Sequence, residues 1–493
     1  MILAICYGWL SGFNPPVIRA LLALSLWQIL SLKKIFLSSW QIINRIIAIL
    51  LFIDPFMILA ESFWLSCYAV ICLIFITHWF PSKSSKYPQQ TYLWQLVKLQ
   101  CLLTLLLLPI QFLIFNGISG TSIMANLIAI PTISFITFPA VLLMLLMSFF
   151  DFFYLAIWFG MIAEKSISGL FILLTQLSGY WFAIADGFYL LSGIGWLMVI
   201  IWQTMLWRSY LLSLIVVILI ALSPMIKRQS YNWRVDMLDV GHGLAVVITK
   251  GKSAIVYDTG AMWQNSSAAE LIILPFLQWH NLTVEGIIIS HEHNDHIGGL
   301  AILKQYFPNA WLMSSSNRLS NNYICTSGNQ LSWQGLQLAV LWPNKVLDDV
   351  DQSAMNARSC VIRISDNRYS ILLTGDLERK QEELLVLDKN KILSSTILQT
   401  PHHGSNTSSY YPFLAKVNPE LSLASVARYN PWKLPSNKAL SRYQDLNLSY
   451  RLTSISGQIS VSFYDKKWLL ETMREEIKPR WYHDWFGALP NYR

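Results

Sequence analysis

Charge is scarce in this sequence: 13% of its 493 residues are charged, 54% are hydrophobic, and the mean hydropathy is +0.43. That balance excludes a chain soluble throughout and fits an integral membrane protein carrying a soluble part. The little charge there is lies unevenly. Of 36 Lys/Arg and 28 Asp/Glu, only 11 and 5 fall before Asn232, leaving 25 and 23 for the remainder. The net +8 is thus concentrated in the first half, so the second half is not a strongly basic nucleic-acid surface. Cysteine is sparse as well. Cys6, Cys67, Cys72 and Cys101 lie in apolar segments and Cys325 and Cys360 beyond them, with no CxxC pair to suggest a zinc ribbon. Their spacing leaves open whether Cys325 pairs with Cys360. Internal repeats and low-complexity tracts are absent, and so are the basic n-region and cleavage site of a signal peptide. Met1 opens directly into Ile2-Leu3-Ala4-Ile5-Cys6, which reads as the tail of a membrane segment whose beginning is absent.

What the first half does have is long apolar runs. A membrane crossing needs about 20 apolar residues, and the runs that qualify are Pro16–Leu32, Phe56–Phe80, Tyr92–Phe115, Ile123–Phe150, Ile167–Ala185, Leu190–Trp207 and Tyr210–Ile226. Shorter pieces at Met1–Leu10, Ile42–Ile53 and Phe152–Met161 bring the expectation to roughly seven to ten crossings, some of them partial. Gly12, Pro15-Pro16, Asp54-Pro55, Pro131 and Pro139 interrupt these runs. Irregular backbone at membrane depth is tolerated only where protein buries it or a watery cavity receives it. Arg19, Asp54, Glu61 and Lys98 sit in or beside the same runs. An intramembrane charge points to a polar path, although a long side chain such as Lys98 can equally snorkel to the headgroups.

The second half is organised around Ser290-His291-Glu292-His293-Asn294-Asp295-His296-Ile297-Gly298-Gly299, directly after the apolar strand Gly286-Ile287-Ile288-Ile289. A tight loop after a buried strand can aim side chains of alternating direction at one point. His291 and His293 can then share one metal while Asp295 and His296 reach a neighbouring one. Two later stretches supply further ligands: Leu372-Leu373-Thr374-Gly375-Asp376, a buried strand ending in a carboxylate, and Leu398-Gln399-Thr400-Pro401-His402-His403-Gly404-Ser405, another ending in two histidines. A carboxylate has two oxygens and can bridge two ions ~3.5–4 Å apart, the spacing that activates water against phosphorus or carbonyl centres. Asp295 and Asp376 are accordingly the expected catalytic carboxylates.

These residues resemble the metallo-β-lactamase superfamily. With Leu238-Asp239-Val240-Gly241-His242-Gly243 and Tyr257-Asp258-Thr259-Gly260 they look like the hydrolase domain of the ComEC family of DNA-uptake channels. Leu10-Ser11-Gly12-Phe13-Asn14-Pro15-Pro16-Val17-Ile18-Arg19-Ala20-Leu21, Asp54-Pro55-Phe56 and Ser62-Phe63-Trp64-Leu65-Ser66 look like that family's channel region. The resemblance covers nearly the whole chain but not the family's N-terminal spans and OB-like domain. It implies a polytopic α-helical membrane domain over 1–228, an αββα metallo-β-lactamase-like domain over 232–475, and a basic aromatic tail over 476–493. The strands Val235–Asp239, Leu244–Thr249 and Ser253–Tyr257 and the helix Ala268–Trp279 follow the order that architecture requires.

The function implied is passage of single-stranded DNA across the inner membrane, with a metal-dependent nuclease handling the other strand. The expected partners are single-stranded DNA, membrane lipid, competence proteins that deliver or pull DNA, and a second copy in a homodimer. A membrane-anchored hydrolase of a small phosphodiester and an inactive remnant are the alternatives. The positive-inside pattern places Lys33-Lys34 and Lys83–Lys86 in the cytoplasm and Asn116–Thr121 outside. Arg208 and Lys227-Arg228 nearly cancel across the last run, and the resemblance favours the periplasm for the hydrolase domain.

The chain departs from the family where Asp-Val-Gly-Gln-Gly-Asp is usual: it has Asp239-Val240-Gly241-His242-Gly243-Leu244. Leu434-Pro435 replaces a common His-Pro, Ser454 an Asp, and His293 stands where Asp is frequent. Between His296 and Asp376 no histidine occurs, so the first ion falls to His291, His293 and either Asp376 with water or Asn356. The second falls to Asp295, His296, Asp376 and one of His402 and His403, with His403 favoured for its place before Gly404. Sites this rich in oxygen suit Mn²⁺ over Zn²⁺. If zinc were required instead, His242 would be the nearest further imidazole. Asp258, Asp239 and His242 are expected around the ligands, where Asp258 either orients a histidine or shapes a turn. Arg428-Tyr429-Asn430-Pro431-Trp432-Lys433 and Lys478-Pro479-Arg480-Trp481-Tyr482 either stack bases and neutralise phosphates or form a loop and a membrane-surface tail. Arg19, Asp54, Glu61, Arg428, Trp432 and Lys433 are thus the expected DNA-path residues.

Overall fold

The computed structural model describes residues 2–79, 88–115, 117–177, 181–183, 196, 231–264, 266–316, 318–319, 322–344, 355–480 and 483. The chain divides into two compact units, Met1–Arg228 and Gln229–Arg493.

The first unit is helical. Five of its described helices are long and apolar enough to cross a membrane: Pro15–Leu32, Glu61–Trp79, Trp94–Gln111, Ser122–Phe149 and Phe153–Leu177. Helix-disrupting residues mark starts at Pro15 and Pro55 but lie inside helices at Pro109 and Pro131. Gly12, at φ 70°, makes the turn before Pro15, which needs no hydrogen-bond acceptor in the first helical turn. Asp54 accepts the Phe56 amide hydrogen and begins the short helix Pro55–Leu59. In Ser122–Phe149 the prolines do not break the span. A π-helical turn over Ile133–Thr137 lies between Pro131 and Pro139, and the Thr137 hydroxyl bonds that of Ser166 at 2.8 Å. The expected division between Phe152–Met161 and Ile167–Ala185 is not found. Phe153–Leu177 is one helix, because Glu164-Lys165 interrupts the hydropathy but puts no proline in the backbone. The expected crossings Leu190–Trp207 and Tyr210–Ile226 lie outside the described residues, Trp196 apart.

The second unit is a sandwich of two sheets with helices outside. One sheet contains β1 (Trp233–Met237), β2 (Val246–Lys250), β3 (Ser253–Tyr257), β4 (Thr283–Ile289), β5 (Trp311–Ser314) and β6 (Tyr323–Ile324). The other contains β7 (Gln330–Trp333), β8 (Leu336–Trp342), β9 (Val361–Ser365), β10 (Ser370–Leu373), β11 (Ile397–Gln399), β12 (Leu421–Ala424) and β13 (Tyr450–Leu452). The chain then returns to the first sheet with β14 (Ile459–Phe463) and β15 (Trp468–Thr472), β14 pairing antiparallel to β1. Alternation along each strand makes three apolar layers. Ile255, Tyr257, Ile288, Ile371, Leu373 and Ile397 fill the space between the sheets. Their neighbours Val256, Ile287 and Ile289 meet the helical segment Ala269–Trp279 on one outer face. Leu372 and Leu398 meet the helices Arg379–Leu387 and Tyr411–Val417 on the other. This is the expected αββα order of layers.

Within each sheet the strands β3 to β6 and β10 to β13 run parallel. The loops that follow β3, β4, β10, β11 and β12 hence emerge at the carboxyl ends of parallel strands, where α/β sheets place their ligand sites.

Candidate metal centre

Four side chains converge at that end: Asp295 and His296 from the loop after β4, Asp376 from the loop after β10, and His403 from the loop after β11. His296 Nε2 stands 3.2 Å from Asp376 Oδ1 and 3.6 Å from Asp295 Oδ2, and His403 Nε2 stands 3.5 and 3.7 Å from the same two oxygens. Four atoms placed tetrahedrally at ~2.1 Å from a common centre are about 3.4 Å apart, which is the spread seen here. His296 Nε2, His403 Nε2 and Asp376 Oδ1 are moreover buried without a hydrogen-bond partner, a costly arrangement unless a cation satisfies all three. The donor set thus fits a divalent metal ion.

Hydrogen bonds behind the ligands fix which nitrogen faces the centre. Asp258, fully buried after β3, accepts from His296 Nδ1 at 2.7 Å and from the Ser290 amide and hydroxyl, each at 2.7 Å. The Ser425 carbonyl after β12 accepts from His403 Nδ1 at 2.8 Å. Both rings therefore present Nε2 lone pairs inward. The Ser290 hydroxyl hydrogen is committed to Asp258, so His291 Nδ1 donates to Ser290 Oγ at 2.9 Å, and His293 Nδ1 donates to His291 Nε2 at 3.0 Å. His291 thus also carries its lone pair on Nε2.

Electrostatics follow from this packing. Burial alone would depress the His296 and His403 imidazoles, but the Asp376 carboxylate, joined by Asp258 beside His296 and by Asp295 beside His403, lifts both above the ordinary histidine value. Burial opposes the ionisation of Asp376 and Asp295 too, yet the imidazoles hold both well below the usual carboxylate range. His291 is different: burial and the neighbouring His296 push it well down.

Backbone strain places the ligands. Gly375 has φ 54°, and a Cβ there would lie 2.7 Å from Ser290 Cβ, so only glycine lets the Asp376 loop approach the motif loop. His402 and His403 occupy the same left-handed region at φ 46° and 54° without being glycine, strain of a kind that collects at functional sites.

Of the expected ligands, the four that come together are those assigned to the second ion, with His403 inside the group. His402 lies at its edge: Nε2 is 3.6 Å from Asp376 Oδ2 and Nδ1 is 3.5 Å from Glu378. His291 and His293 bond each other beside the group and do not join it. Asn356 donates to Glu378 at 3.3 Å, and its Oδ1 is buried without a partner. His242 Nε2 stands 3.4 Å from Asp295 Oδ2, whereas Asp239 faces Arg474 at 3.3 Å. Trp432 stacks on His242, with ring centroids 4.1 Å apart. Arg428 lies over Tyr429, Lys433 is exposed, and Trp481 and Tyr482 fall outside the described residues. In the first unit Arg19 is buried on Pro15–Leu32, and Glu61 begins Glu61–Trp79.

Two supporting residues escape sequence reasoning. Ser290 bonds Asp258 and His291 at once, and Gln399 Oε1 accepts the Thr374 and Gly375 amides at 2.7 and 2.8 Å, bracing the loop that carries Asp376. Gln399 did leave a signal, an amide ending the apolar strand Ile397-Leu398.

Residues 1–210 match the family described as Competence protein, and residues 238–320 match the Metallo-beta-lactamase superfamily. The chain thus carries a region similar to competence proteins followed by one similar to the metallo-β-lactamase superfamily. It is 39% identical to "Uncharacterized protein YcaI" of Escherichia coli (strain K12), an alignment covering 98% of this chain and 64% of that protein. It is 32% identical to Recombination protein 2 of Haemophilus influenzae, covering 98% of this chain and 65% of that protein. To Competence protein ComA of Neisseria gonorrhoeae it is 27% identical, over 92% of this chain and 63% of that protein. The chain therefore spans just under two thirds of the length of each of these relatives. Its five long apolar helices and the match of residues 1–210 to competence proteins make it a membrane-embedded protein.

Proposed function

We propose that this chain is an inner-membrane DNA-uptake protein of natural transformation, whose second unit is a metal-dependent nuclease acting on phosphodiesters. The carrying observation is the convergence of two carboxylates and two oriented imidazoles, three of whose inward atoms, His296 Nε2, His403 Nε2 and Asp376 Oδ1, are buried without a hydrogen-bond partner. The names of the gonorrhoeal and Haemophilus relatives, a competence protein and a recombination protein, support the DNA role.

Asp295, His296, Asp376 and His403 would hold one divalent ion, and His291 and His293, with either Asp376 and water or Asn356, would hold a second. Bound there, the ions would polarise the phosphoryl oxygens and lower the pKa of water. The chain's own part is preparatory. Asp258 and Ser425 keep the ligand imidazoles turned inward, and the paired carboxylates concentrate negative charge where cations must bind. We assign residues 1–228 to the DNA path with Arg19, Asp54 and Glu61 on it, 232–475 to the hydrolase and 476–493 to a basic tail. The partners proposed are single-stranded DNA, lipid, competence proteins that deliver or pull it, and a second copy. The buried disulfide Cys325–Cys360 favours an oxidising compartment, hence the periplasm, for the hydrolase unit.

Because half of the converging donors are carboxylates, Mn²⁺ should reactivate the metal-stripped full chain better than Zn²⁺ on single-stranded or nicked DNA. Restoration by Zn²⁺ alone would overturn the metal assignment. An absence of cleavage with any divalent ion would overturn the nuclease.

A further inference from the structure

The loop Ala427–Ser436 is built onto the metal centre. A Cβ on Gly404, directly after the ligand His403, would lie 2.5 Å from Pro435 Cβ, and the Ser436 amide donates to the Gly404 carbonyl at 2.9 Å. Asn430 closes the loop upon itself, accepting from the Leu434 amide at 2.6 Å and donating to the Ala427 and Leu434 carbonyls. This bracing presents Trp432. One face of its indole covers His242, the rings 19° from parallel, and His242 in turn reaches Asp295. The residue is nevertheless 60% exposed, so a rigidly held aromatic surface stands open beside the ligands. Tyr429 on the same loop is 88% exposed. Between Leu421 and Leu440 the chain carries Arg428, Lys433 and Lys438 and no acidic residue.

We infer that Trp432, backed by His242, is a stacking platform that seats an unpaired nucleobase next to the metal centre, making a single-stranded nucleotide the unit this site selects. An open π-face accepts any base, and the basic neighbours suit its phosphates. A base inside a duplex is stacked on both sides and has no face to offer, so the platform discriminates by pairing state rather than by sequence. The assignment deepens the nuclease reading and rests on it for the identity of the ligand. Trp432 is a positioning residue: it orders the strand and takes no part in the chemistry.

The test compares a short oligothymidylate with an abasic phosphodiester strand of the same length and charge. Both are bound to the full chain in detergent, with chelator present so that nothing is cleaved. The wild type should prefer the oligothymidylate by roughly tenfold, the contribution of a stacked base. Trp432→Ala should reduce that preference to within about twofold, and Trp432→Phe, which keeps a ring, should restore most of it. A wild type without the preference, or an alanine variant that keeps it, overturns the platform. Cleavage with Mn²⁺ is scored separately. Discrimination without cleavage supports the platform while removing the nuclease reading, and cleavage without discrimination does the reverse.

Discussion

His296 shows how far neighbours outweigh burial. A fully buried imidazole should lose its proton easily, yet Asp376 and Asp258 hold it above its ordinary value, and Asp376 does the same for His403. The metal-free centre therefore holds protons more tightly than a free imidazole does, at the place where a cation must bind. Metal uptake must expel them. Affinity should rise as pH rises through the elevated histidine values and fall as pH is lowered. Calorimetry in buffers of different ionisation enthalpy should register at least about one proton released per ion; pH-independent binding would contradict the charge assignment. Gly375 gives a second prediction at this scale. Alanine there would be strained at φ 54° and would crowd Ser290, costing about 1–3 kcal/mol and moving Asp376. Both losses should appear, in thermal unfolding and in metal affinity.

Among the elements, Cys325 follows the edge strand β6 of one sheet and Cys360 immediately precedes β9 of the other, so their bond staples the sandwich. It does so at the metal end, since the Cys360 amide donates to the Ser290 carbonyl. Replacing both cysteines by serine should destabilise the unit by about 2–4 kcal/mol, measured as a lower midpoint of thermal unfolding. The strands β1 to β4, β10 and β11 were legible, because their apolar runs and the turns after β3, β4, β10 and β11 come from local chemistry. The left-handed pair His402-His403 was not, because no glycine announced it. Nor was the continuity of Phe153–Leu177, where a charged pair in a helix looks in sequence like a break. The convergence of the loops was expected from the histidine and aspartate pattern. That His291 and His293 would bond each other depends on Ser290 and Asp258, which meet only when β3 and β4 pair.

At the scale of the molecule, a helical unit carrying a buried arginine precedes a hydrolase-like sandwich. Arg19 Nε is buried without a hydrogen-bond partner, a placement expensive enough in an apolar helix to imply a role. Arg19→Ala should lower DNA uptake without lowering the amount of protein in the membrane, and undiminished transformation would remove that residue from the path. The central claim is that Asp295, His296, Asp376 and His403 form a metal centre that cleaves DNA. Its most direct test is a paired measurement of bound metal and single-stranded DNA cleavage on purified full chain, wild type against Asp376→Ala. The wild type should bind Mn²⁺ and cleave, and the variant should lose both together, since one carboxylate contacts both imidazoles. A variant that still binds metal and cleaves at near wild-type rate would contradict the account.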